Sequence, residues 1–281
     1  MRHLWIFMFF LPLIGFSQED LSVGFSVGGS NYQGDLTVSP LSNIQNTKLS
    51  AALFIRVQHN DYFNTKVNIQ YGSVEASDAE GGLGRATRNL SFSTNIWEAA
   101  VIEEINLIGF NTNNKKFISP YLFGGVAVFH YNPKTEYFGQ IVELQPLGTE
   151  GQGIPGFAGK YSLFQVAIPL GGGLKLALSK DATLSFEMGG RKLFTDYLDD
   201  VSGPYADSRT LLNGNGPLAA ALGNRIGEYL NSDPVNTPGA PRGNPKYSDW
   251  YFFSTVSVSF ALDGDGSLFG RNMRILPCFR F

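Results

Sequence analysis

Cysteine is nearly absent. Cys278 stands alone among 281 residues, so no internal disulfide can form and a disulfide-stapled scaffold is excluded. Charge is also scarce: Asp, Glu, Lys and Arg make up 16% of the chain, and the net charge is −3. Such a balance leaves no basic footprint, so neither nucleic acid nor anionic headgroups are expected as the main partner. No stretch after the N-terminus approaches the roughly 18 continuous apolar residues of a transmembrane helix. The histidines are three, His3, His59 and His130. Lipid hydrolases of the serine type need a His–Ser pair with an orienting acid or amide, and no motif here supplies one, so no enzymatic activity is expected. The glycine-rich "GGSNYQGDL" and "IPLGGG" are not followed by helices, which argues against a phosphate-cradling loop. Gly171, Gly172 and Gly173 read instead as relief of crowding where a strand bends. Asp196, Asp199, Asp200 and Asp207 are dense enough to suggest Ca²⁺, but lack the spacing and final Glu of an EF-hand loop. They read as a turn whose carboxylates satisfy loop amides. No cofactor or metal is expected.

What is present is aromatic, glycine-rich and periodic. Aromatics reach 14% and glycines number 33. Arg2 and His3 precede "LWIFMFFLPLIG", and Ser17 offers a small residue before Gln18. This is the pattern of a secretory signal peptide over 1–17; the apolar run is too short for an anchor, and no lipidation cysteine follows the cut. Alternation of period two then recurs eight times, from "LSVGFSVG" to "YFFSTVSVSFAL". The fourth run changes phase near Trp97, which suggests a β-bulge. The fifth, "ISPYLFGGVAVFHY", is apolar on both faces and leaves its direction open. "HND", "NTNNKK" and "SKD" are short turns; loops near 30–46, 76–88, 133–160 and 195–246 are long. Pro217 opens a short helical pattern with Leu218, Leu222 and Ile226, expected to cap the largest loop.

Short turns on one side and long loops on the other are the layout of an outer-membrane barrel. A lipocalin also has eight strands, with its apolar face inward. Charge placement separates the two. Arg56, Lys66, Lys175, Glu187 and Arg191 lie mid-strand on the polar face, and Glu98 and Glu104 share one side of the fourth strand. Facing lipid, each Arg or Lys would cost about 2–4 kcal/mol; inside a barrel the opposite charges can pair. The expected fold is all-β: an eight-stranded antiparallel transmembrane β-barrel over 18–262, with long extracellular loops and a periplasmic C-terminal tail over 263–281. The inward charges are expected to plug the lumen and fix register; a proton or ion path is the sharper alternative.

Six stretches taken together, in order, resemble one family. They are "GSNYQGDL", "IWEAAVIEEINLIGF", "SPYLFGGVAVFHYNP", "FTDYLDDVS", "RGNPKYSDWYFF" and the cysteine-bearing end, and they span nearly all of the exported chain. The chain resembles the PorG-like outer-membrane proteins of the type IX secretion machinery. The family's C-terminal pattern has proline after the cysteine; here Pro277 precedes Cys278 and Phe279 follows. The resemblance implies a non-enzymatic barrel in outer-membrane lipid, associated with a periplasmic ring built from a lipoprotein and a soluble partner. The residues of the tail suit such contact. Ile275, Leu276, Phe279 and Phe281 offer apolar anchors, Arg274 and Arg280 carboxylate-binding forks, and Cys278 an odd thiol in an oxidising compartment. The alternatives are a small porin or surface-binding barrel, and a lipid hydrolase.

Overall fold

The computed structural model describes residues 20–37, 46–111 and 116–262. The expected signal peptide and the tail with Arg274, Ile275, Leu276, Cys278, Phe279, Arg280 and Phe281 lie outside the described residues. Among the described residues ten strands are seen: β1 (Asp20–Gln33), β2 (Lys48–Gln58), β3 (Phe63–Ser77), β4 (Ser91–Asn106), β5 (Ile118–His130), β6 (Lys134–Tyr137), β7 (Gln140–Glu143), β8 (Phe164–Ala177), β9 (Ala182–Leu193) and β10 (Trp250–Ala261). Eight of them close a barrel. Each pairs antiparallel with its neighbour in the chain, and β1 pairs with β10 from Ser22↔Ala261 to Gln33↔Trp250. The small β6–β7 hairpin stands on the loop between β5 and β8 and touches the barrel at Ser93↔Lys134.

Alternation sorts the faces. On β2, Leu49, Leu53 and Ile55 point out while Phe54 and Arg56 are buried inside. The outward face is apolar around the wall, with Leu49 86%, Leu53 71%, Ile69 62%, Phe164 72% and Met188 66% exposed. Burying such a side chain is worth about 1.5–3 kcal/mol, so a continuous belt of them is unstable in water and matched to lipid. Apolar outside and charged inside excludes the lipocalin arrangement. Aromatic pairs mark the long-loop rim of the belt: Tyr71 with Trp97, His130 with Phe164, and Trp250 with Phe252. From Leu107 to Trp97, ten residues at about 3.3 Å, tilted about 40°, span about 25 Å, the height of a bacterial outer-membrane belt. The protein is an outer-membrane β-barrel, with short turns toward the periplasm and long loops outside.

The expected bulge in β4 is absent. β3 and β4 pair one for one from Phe63↔Ile105 to Ser77↔Ser91. The change of phase is a change of solvent. Within the membrane β4 turns Val101 and Ile105 outward and Glu98 and Glu104 inward. Beyond Trp97 the outside meets water and the inside meets the loops, so Ser93 and Asn95 face out while Phe92 and Ile96 are buried. β3 inverts likewise, with Lys66 and Gln70 inside low in the barrel, and Val74 and Ala76 inside higher up.

Two other expectations are refined. β5 turns Tyr121, Phe123, Ala127 and Phe129 inward, and Leu122, Val126 and Val128 outward. The glycines of β8 make room for these rings and for the β9 backbone: a Cβ on Gly173 would stand 2.3 Å from the Phe186 carbonyl and 2.7 Å from Tyr121, and one on Gly171 2.3 Å from the Met188 carbonyl and 2.5 Å from Phe123. Besides the single turn α1 (Leu83–Ala86) between β3 and β4, the largest loop carries α2 (Ser208–Gly214), and after it the helical pattern splits into α3 (Pro217–Gly223) and α4 (Ile226–Leu230), broken at extended Asn224. The break fits close packing at Gly223, where a Cβ would stand 2.7 Å from both Leu211 and the Thr149 carbonyl.

Candidate functional site

The seven charged residues singled out above lie on inward positions of β2, β3, β4, β8 and β9, and the fold brings them into two groups. Glu104 is the hub of the lower one. Lys175 donates to its Oε2 at 2.6 Å, Arg56 Nη2 to its Oε1 at 3.2 Å, and Lys66 Nζ lies 3.4 Å away. Arg56 Nε also sits 2.9 Å from Oε2, close enough for attraction though misaligned for a hydrogen bond. Lys66 bridges to Glu187 at 2.5 Å, and Tyr121 donates to the same carboxylate at 2.9 Å. Asn106 takes a further bond from Lys175 at 3.0 Å.

The upper group is a fork. Arg191 reaches Glu98 with Nε at 3.1 Å and Nη2 at 3.2 Å; Tyr251 donates to Glu98 at 2.6 Å, and Gln70 accepts from Nη2 at 3.3 Å. Four cations thus face three carboxylates. Aromatic faces carry part of the surplus: Lys175 lies 4.6 Å from the Tyr121 ring, Arg191 4.6 Å from Phe253, and Arg56 5.0 Å from Phe54. Sequence reasoning missed Tyr121, Tyr251, Phe54, Phe253 and Asn106. Their shared inward parity becomes visible once register is known.

The extracellular loops cap the lumen with a second buried polar cluster. Tyr32 hydroxyl lies 2.6 Å from Asp199 Oδ2 and 3.1 Å from Asp249 Oδ1. Asp249 accepts from the Leu198 amide at 3.0 Å, and Asp199 from the Val201 amide at 2.9 Å. Asp200 accepts from Thr149 at 2.5 Å and Tyr161 at 2.6 Å. Arg242 spans the loops, donating to Glu150 at 2.8 Å, the Asp200 carbonyl at 2.6 Å and the Gly223 carbonyl at 3.1 Å. Burial raises the Asp200 carboxyl to about 6, against the pull of Arg242. Burial with nearby Asp35 and Glu150 raises Asp196 to about 7. Asp199 and Asp249 are held well above the usual carboxylate range, first by burial and then by neighbouring carboxylates.

The acidic stretch therefore does not act as one cluster. Asp199 and Asp200 tie the cap, Asp196 is half-buried beside it, and Asp207 stands apart, capping α2 through the Thr210 amide at 2.8 Å. Among the described residues no group of His, Cys, Asp and Glu has the arrangement of a metal site. His130 packs outward against Phe164, the rings tilted with centroids 4.7 Å apart, and His59 bonds Thr65 at 2.8 Å at a periplasmic turn.

The model of one protein family matches residues 2–216, and that family is described as a domain of unknown function, DUF6089. The chain belongs to the DUF6089 family. The match stops short of α3, α4 and β10, although β10 closes the barrel. No curated protein matches. Among solved structures, surface protein A of Neisseria (NspA) is 8% identical with a TM-score of 0.41, over 85% of this chain and 96% of that one. Ail, the attachment invasion locus protein of Yersinia pestis, is 9% identical with a TM-score of 0.39, over 87% and 100%. The N-terminal β-barrel domain of Pseudomonas aeruginosa OprF is 11% identical with a TM-score of 0.34, over 86% and 100%. The fold stands on the strand pairing above rather than on these distant likenesses.

Proposed function

We propose that this barrel is a non-enzymatic outer-membrane component of a type IX-like protein secretion machine, anchoring a periplasmic ring assembly through its C-terminal tail. The observation that carries the reading is the filled interior. Glu104, Arg56, Lys66, Lys175 and Glu187 close the lower lumen, and the cap tied by Asp199, Asp200, Asp249 and Arg242 covers the top. A conducting porin needs a hydrated path. A plugged barrel acts through its outer surfaces or ends. The ordered resemblance to PorG-like proteins favours the periplasmic end, and the ring lipoprotein is the partner it suggests. In this reading Ile275, Leu276, Phe279 and Phe281 dock, Arg274 and Arg280 pair with carboxylates, and Cys278 forms an intermolecular disulfide.

Affinity purification of the tagged protein from outer membranes, without reductant, tests this. The expected result is a co-purified periplasmic lipoprotein and a higher-mass band lost in Cys278→Ser. A protein that runs as a monomer, with Cys278 freely alkylated in intact envelopes, defeats the covalent version. Deletion of 274–281 without loss of the partner defeats docking. Stable conductance in planar bilayers would favour a small porin instead.

A further inference from the structure

One side chain breaks the pattern of the barrel wall. Among the described residues, outward positions between the aromatic rim and the periplasmic turns are uncharged except for exposed Glu103 of β4. Its outward neighbours are Val101 at 46%, Ile105 at 45% and Val67 at 51% exposure, all facing lipid. Thr65, opposite it on β3, donates its hydroxyl to the carboxylate, with the two oxygens at 2.9 and 3.0 Å. Thr65 Oγ1 also lies 2.8 Å from His59 Nε2. The one hydroxyl proton serves the carboxylate, so the imidazole N–H is the donor to Thr65. A polar path therefore climbs the outside of the wall from the periplasmic turn. On its other flank Glu103 pairs in register with Gly124, where a Cβ would have nothing nearer than Leu170 at 3.4 Å. The missing side chain leaves a notch beside the carboxylate.

Depth follows from register. The Asn106 amide donates to the Tyr62 carbonyl at 2.7 Å, which sets that level as the periplasmic rim. Three residues at about 3.3 Å, tilted about 40°, raise Glu103 about 8 Å above it. An ionised carboxylate facing hydrocarbon is disfavoured until a cation meets it, and one hydroxyl does not neutralise it.

We infer that Glu103, Thr65 and the Gly124 notch form a lipid site for the primary ammonium headgroup of an inner-leaflet phospholipid. Charge complementarity selects a cation, and the depth is within a side chain's reach of the headgroups. The surrounding Phe63, Val67, Val101 and Ile105 offer surface for acyl chains rather than the polar rim of a protein interface. The inference rests on the barrel's place in the membrane and is independent of any role in secretion.

The test uses the full chain folded into phosphatidylcholine vesicles, with or without added phosphatidylethanolamine or phosphatidylglycerol, followed by gentle detergent release and native mass spectrometry. Wild type should retain phosphatidylethanolamine over phosphatidylcholine by about fivefold, the scale of one partly screened ion pair. Glu103→Gln should lose the preference, and Glu103→Asp should keep most of it. In pure phosphatidylcholine Glu103→Gln should unfold at the same temperature as wild type or higher, since it removes an uncompensated charge. Equal retention by wild type and Glu103→Gln would overturn the inference, as would a preference for phosphatidylglycerol. A lower unfolding temperature of Glu103→Gln in pure phosphatidylcholine would also overturn it, by assigning the carboxylate an intramolecular role.

Discussion

Glu104→Gln tests how the lumen is held. The substitution keeps the volume and removes one charge from a carboxylate within 3.4 Å of Arg56, Lys66 and Lys175. Lys66 retains Glu187 at 2.5 Å, whereas Lys175 keeps Asn106 as its bond and Arg56 keeps Ser259 at 3.3 Å. Two buried cations are then left with neutral partners. Removing one member of a buried ion pair costs about 3–5 kcal/mol, mostly as the unpaired charge left behind. No cavity opens, so packing loss adds little. The expected destabilisation is about 3–5 kcal/mol, read from urea unfolding in lipid vesicles by tryptophan fluorescence. Glu104→Gln combined with Lys175→Met restores the charge balance, and should recover more than half of that loss. A single-substitution cost below about 1 kcal/mol, or a double variant no more stable than the single, would refute the hub assignment.

The cap should respond to pH in the opposite sense to ordinary paired carboxylates. Asp200 rises from 3.8 to about 6 and Asp196 from 3.8 to about 7, so the folded cap binds protons that the unfolded loops release. The share contributed by Asp200 and Asp196 is fully present below about 4 and is lost as pH climbs through about 6 and about 7. Protease should therefore cut 195–246 faster at pH 8 than at pH 5, after correction with an unfolded substrate; the reverse order would contradict the burial argument. Gly173→Ala drives a methyl against both the Phe186 carbonyl and the Tyr121 ring and should lower stability by about 1–3 kcal/mol, whereas outward Gly172→Ala should cost less; equal unfolding midpoints would show that crowding on the inner wall does not explain these glycines. Tyr251→Phe removes the 2.6 Å bond to Glu98 and should cost about 1–3 kcal/mol in the same assay, with no change if Glu98 is satisfied by Arg191 alone.

Some of this was local and some was not. Period-two alternation is written residue by residue, so the barrel, its strand count and the outward facing of Leu53, Ile69 and Phe186 were legible in the sequence. So was the inward facing of Arg56, Lys66, Lys175 and Arg191, because a charge in mid-strand tolerates lipid poorly. Strand five was not legible, since both of its faces are apolar. Which face fills the lumen depends on Gly171, Gly173 and Gly189, which come beside it through the β5–β8 and β8–β9 pairings. The phase change in β4 was visible, but its cause was not. Alternation records which face meets which solvent, and the height at which water replaces lipid is set by the whole wall. Pairing was equally beyond reach. Glu98 and Arg191 are 93 residues apart, Tyr32 and Asp249 217 apart, and Glu150 and Arg242 92 apart. Charge type is a property of a residue. The identity of its partner is a property of closure and register, which the chain acquires when β1 meets β10.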